Sequence, residues 1–107
     1  MQAIDYSHNV RKHVTIVDPA AVEGIVKYLG IALRKADSAV VTPTDPVELR
    51  RLRESFLKRR LRLTAADADL DDALHDVMVR LSGDHDKSRV TVCYLLAERF
   101  GKLALFV

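Results

Sequence analysis

The sequence predicts an all-α fold, a single compact domain over residues 1–107 with about five helices around a buried C-terminal helix. Three observations predict it. Residues Val90 to Ala97 form the longest uncharged run in the chain. A helix apolar on nearly every side has to be wrapped by other elements. Asp-Pro pairs at Asp18-Pro19 and Asp45-Pro46 each precede an apolar helical period. Aspartate is a good cap, and proline suits the first helical position. Finally, Leu70, Ala73, Leu74, Val77, Met78 and Leu81 give a clean amphipathic stripe.

Taken in order, Tyr6, Val10 and His13 or Val14 fall at helical spacing, with Asp5 or Ser7 as the cap. His13 to Val17 is rich in β-branched residues and reads as an extended connection. The helix opened by Asp18-Pro19 carries Val22, Ile25, Val26 and Leu29 inward and stops at Gly30, with Ile31 placed to contact Val26. Gly24 inside this helix weakens it by about 1 kcal/mol against alanine, which points to a close approach there. Residues 31–44 carry no sustained period; Ile31 to Leu33 extend a bent helix, Asp37 to Val41 add a short turn, and Thr42-Pro43-Thr44 is a loop.

The helix opened by Asp45-Pro46 runs to about Arg60, with Leu49, Leu52 and Phe56 inward. Thr64 to Asp67 resembles a capping box for the next helix. Gly83 ends that helix, Asp84 to Lys87 is a mobile charged turn, and Ser88 caps the central helix. Gly101 stops it before an apolar tail, Leu103 to Val107.

Charge is balanced overall, with 17 basic and 15 acidic side chains for a net of +2. That excludes a polyanion-binding character for the domain as a whole. The single cysteine, Cys93, lies within the apolar run and reads as a small buried hydrophobe. No internal disulfide is available, and the N-terminal residues lack the apolar core of a leader. No uncharged run approaches the length of a membrane span. The expected setting is cytoplasmic, without membrane contact.

No catalytic, cofactor or metal site is expected. Asp67 to Asp72 invites a calcium-loop reading, but Asp72 and Met78 stand where such a loop needs glycine and glutamate. His75, Asp84, His85 and Asp86 match no recognised ligand spacing and read as solvated surface. His8 and His13 fall off a shared helical face.

The informative polar feature is the charge pattern. Arg50, Arg51, Arg53, Lys58, Arg59, Arg60 and Arg62 crowd one helix, and five aspartates follow from Asp67 to Asp76. A short joint makes the two helices neighbours, so opposite signs face each other. Arg53 and Arg60 lie at about 40° and 20° on a wheel with Leu49 at 0°. Their stems are expected to cover the core while their guanidinium groups reach carboxylates as structural charge pairs. Arg51, Lys58, Arg59 and Arg62 form the expected outer face, a surface for an anion or a partner.

Three segments carry a resemblance: GIALR (Gly30–Arg34), RESFLKRRL (Arg53–Leu61) and, most specifically, KSRVTVCYLLAERFGKL (Lys87–Leu103). They resemble a family of short, stand-alone bacterial proteins catalogued as a domain of unknown function. The likeness spans Asp18 to Val107. It implies an all-helical fold of roughly five helices and carries over no activity, ligand or site residue. The expected function is a non-catalytic protein-interaction module, its partner an unknown protein or a second copy. The rival is nucleic-acid or polyanion binding through residues 50–62. Against the rival, no aromatic side chains interleave those bases.

Overall fold

The computed structural model describes residues 5–107. Its architecture is all-α, as the helical periods require. In chain order come α1 (Tyr6–Arg11), α2 (Pro19–Leu29), a 3₁₀ turn (Gly30–Arg34), α3 (Ala36–Ala39) and β1 (Val40–Val41). Helix α4 starts at Pro46–Arg51 and continues as a π-helix over Leu52–Arg60. Then follow α5 (Asp67–Arg80), β2 (Lys87–Ser88), α6 (Arg89–Arg99) and a 3₁₀ tail (Leu103–Phe106). The two short strands pair antiparallel, Val40 with Ser88 and Val41 with Lys87. The radius of gyration is 12.8 Å.

Helix α6 is the core. Every residue from Val90 to Ala97 is buried, Thr91 included. Ala21, Val22 and Ile25 of α2 and the whole α5 stripe, Leu70 to Leu81, join it in one hydrophobic cluster. The Tyr94 hydroxyl lies 3.0 Å from the Asp18 backbone nitrogen and accepts its N–H, tying the start of α2 to α6.

The Asp-Pro starts behave as cap chemistry demands. Asp18 accepts from Ala20 and Ala21, and Asp45 accepts from Val47 and Glu48. Asp5 caps α1 through Ser7. Gly30 and Gly101 take positive φ at the ends of α2 and α6. Ile31 beyond the first stop stays 71% exposed.

Gly24 shows the close approach its place suggested. A Cβ there would stand 1.8 Å from the backbone oxygen of Phe106. The tail therefore lies across α2, with Phe106 buried.

Four local expectations are corrected. Thr64 caps nothing; α5 begins after Ala66 without a side-chain cap, and the Asp67 carboxylate is drawn to Lys58 instead. Ser88 occupies the cap position of α6 but makes no capping bond. Residues 52–60 are π, not α, with the Leu61 amide donating to Phe56 five residues back. That wider turn brings Leu57 and Leu61 into the core beside Leu52 and Phe56.

The turn after α5 is likewise not free. Asp84 Oδ2 lies 2.9 Å from His13 Nε2 and 3.1 Å from Asn9 Nδ2, and Thr91 donates to Asn9 Oδ1. This network latches α1 and its exit onto α6.

Burial alone would raise the Asp84 pKa, but the hydrogen bonds from His13 and Asn9 overcome it and hold the carboxyl below the ordinary 3.8. A depressed folded pKa contributes stability that is present above the ordinary value and lost as pH falls through the folded one. Asp84→Asn is therefore expected to melt lower than the parent at neutral pH. The gap should close as pH drops below about 4. A gap that stays constant from neutral to acid pH would contradict the latch.

Candidate functional site

The π turn of α4 also decides which cations are spent. Arg53 donates through Nη1 to both Asp71 carboxylate oxygens, at 3.1 and 3.0 Å, and through Nε to Glu54 at 3.0 Å. Lys58 Nζ lies 2.7 Å from Asp67 and 2.8 Å from Glu54. Hydrogen bonds raise the pKa of Arg53 (Glu54 first, then Asp71) and of Lys58 (Asp67 first, then Glu54). The Lys58 bond lowers Asp67 in turn. These groups are solvated, so the contacts orient α4 against α5 and add little stability.

Lys58 thus leaves the expected outer face of four cations. Arg51, Arg59 and Arg62 are exposed and have no carboxylate partner among the described residues. Arg62 holds φ 59°, the left-handed conformation that usually goes to glycine, because the chain must turn out of the π segment there.

Arg60 is corrected too. It meets no carboxylate among the described residues; Nη2 donates to the Leu105 carbonyl at 3.0 Å. Its guanidinium lies 4.3 Å from the Phe106 ring centre and 5.4 Å from that of Tyr28. Tyr28, Phe56 and Phe106 form an aromatic triad with centroids 5.9–6.2 Å apart. The tail, absent from local sequence logic, supplies the partner.

Between α2, the α3 turn, α4 and α6 lies a cleft of about 220 Å³. Leu29, Leu52, Phe56 and Cys93 make its apolar side, while Tyr28, Ser38, Glu48, Arg51, Ser55 and Arg89 bring polar groups to it. Burial pushes the Cys93 thiol up to about 12, so it is no thiolate at neutral pH. Burial also raises Tyr28, with Cys93 adding to it and Arg60 opposing.

Arg89 is the organising polar residue of the cleft. It donates to the carbonyls of Ser38 and Val40 and to Glu48 Oε1. Both side chains of the ion pair are only 12% exposed. Burial pulls the Arg89 pKa down from its ordinary value. One signal could have flagged it: a cation in the first turn of a helix opposes the macrodipole, so its place needs another cause. Ser38, Glu48 and Ser55 gave no such sign.

Among the described residues, no group of three or more His, Cys, Asp or Glu side chains could hold a metal ion. His75 and His85 are exposed. Among the described residues, no helix is long and apolar enough to cross a membrane.

Fold and cleft define a small all-helical protein built on a buried C-terminal helix, with a shallow polar-rimmed cleft beside a π turn. The family described as "Protein of unknown function (DUF2853)" matches residues 5–104, and the chain belongs to that family. A search of the curated proteins found no match.

Proposed function

We propose that this chain is a small cytoplasmic interaction module that binds another protein without catalysis. The observation that carries this reading is the apolar surface beside the cleft. Tyr28 is 40% exposed, Ile31 71% and Leu105 42%. Tyr28 lines the cleft, Ile31 sits in the turn between cleft residues Leu29 and Ala32, and the Leu105 carbonyl holds Arg60 under Tyr28. Single exposed apolar side chains are ordinary, and Ile16, Val47, Val79 and Val107 are exposed as well; what supports a contact surface is the gathering of these three about one cleft. The chemistry of the cleft supports binding over turnover: its thiol is neutral, and its one carboxylate is tied to Arg89.

Affinity capture from the native cell, followed by mass spectrometry, tests this. A defined protein, or a second copy, should survive a wash of about 0.5 M salt, where exposed charges are screened. Retention that vanishes with salt would count against an apolar interface.

The rival reading has one observation in its favour: Arg50, Arg51, Arg59 and Arg62 are exposed and meet no carboxylate among the described residues. Labelled DNA and RNA in anisotropy titrations separate the two. We expect dissociation constants no tighter than about 10 μM at physiological salt, the ordinary non-specific range. Submicromolar binding, lost on changing Arg51, Arg59 and Arg62 to Gln, would promote the rival.

A further inference from the structure

We propose that the cleft is a binding site for a small apolar monocarboxylate, an anionic head on an aliphatic or aromatic body. Two arginines on the cleft keep hydrogen-bond donors unspent. Arg89 uses Nε on Ser38 and Nη2 on Val40 and Glu48, which leaves both N–H groups of Nη1 without an acceptor among the described residues. That nitrogen is not sealed off, since no unpartnered side-chain atom is fully buried among the described residues. Arg51 lines the same cleft with a guanidinium that has no hydrogen-bond partner among them. The Ser55 hydroxyl, also on the cleft, is likewise unpartnered. An arginine fork matches a planar carboxylate by paired N–H bonds.

Charge sets the ligand's valence. Arg51 and Arg89 oppose Glu48 alone among the cleft's lining groups, and Asp37 and Asp45 line the adjoining groove beside the same two arginines, so the local balance is at most one positive charge. A single carboxylate neutralises it; a dianion would be undercompensated next to Glu48. The other side of the cleft, Leu29, Leu52, Phe56 and Cys93, offers no acceptor for a polar body. A volume of about 220 Å³ equals about seven waters, so the ligand has on the order of ten non-hydrogen atoms. The inference stands apart from the protein-partner reading, because a small acid can fail to bind while partner capture is unchanged.

The test is a titration of the ¹⁵N-labelled protein with phenylacetate, followed by amide shifts. Saturable shifts should centre on Ser38, Arg51, Ser55 and Cys93, with a dissociation constant on the order of 1 mM for so few atoms. Phenylacetamide, the same body without the charge, should bind roughly tenfold more weakly, as the loss of a charge-assisted bond implies. Arg51→Gln changes an exposed residue and should keep the parent's melting temperature while weakening phenylacetate by a similar factor. Absence of saturation, equal binding of the amide, or equal binding of inorganic phosphate would overturn the proposal.

Discussion

Gly24→Ala is expected to destabilise the protein severely, although alanine is the better helix former by about 1 kcal/mol. The new methyl would stand 1.8 Å from the Phe106 oxygen, a backbone atom that cannot step aside as a side chain would. Either α2 shifts or the tail lifts, and lifting exposes Phe106, now only 6% accessible. Losing a buried phenylalanine contact costs about 3–5 kcal/mol. At roughly 4 °C per kcal/mol for a domain just over 100 residues, melting should fall by on the order of 12–20 °C. Deleting Leu103–Val107 should cost about as much. The two changes must not add: in the shortened chain Gly24→Ala meets no tail and should be neutral or stabilising. Additive losses would mean that the tail does not lie on Gly24.

Arg89→Met should be nearly as damaging. It strands the Glu48 carboxylate, 12% exposed, and leaves the Ser38 and Val40 carbonyls without their donor. Removing one partner of a buried pair costs about 3–5 kcal/mol, mostly for the charge left behind. Replacing Glu48 by Met as well should recover much of the loss, because two apolar side chains need no partner. Chemical denaturation of the parent, both single variants and the double variant gives the coupling. A double variant as weak as the sum of the singles would show that Arg89 acts through its carbonyl contacts alone. It would remove the pair from the account of the cleft.

The helices were legible where a local rule decides them. Asp18-Pro19 and Asp45-Pro46 cap through their own side chains, and the Leu70–Leu81 stripe needs only the helical period. The π segment was not, because an α wheel places Leu57 about 80° from Leu49, off the expected face. The steps of five from Leu52 to Leu57 and from Phe56 to Leu61 were the missed signal. Arg60 went to the wrong kind of partner for a different reason. Its acceptor, Leu105, is 45 residues away, and the rings above it come from two other elements. The latch has the same character: Asn9 to Thr91 spans 82 residues. Local sequence alone therefore makes Asp84 look solvated. The cleft is assembled from four separate stretches of chain, and of its polar groups the sequence singled out only Arg51 as a candidate contact.

The proposed partner contact lies on the surface around Tyr28 and Ile31. Site-specific photo-crosslinking in the native cell tests it most directly, with the crosslinker at Ile31 in one variant and at His75, an exposed position of α5, in another. One recurring protein adduct, a partner or a second copy, is expected from position 31 and none from position 75. Nucleic-acid adducts, or the same protein adducts from both positions, would contradict it.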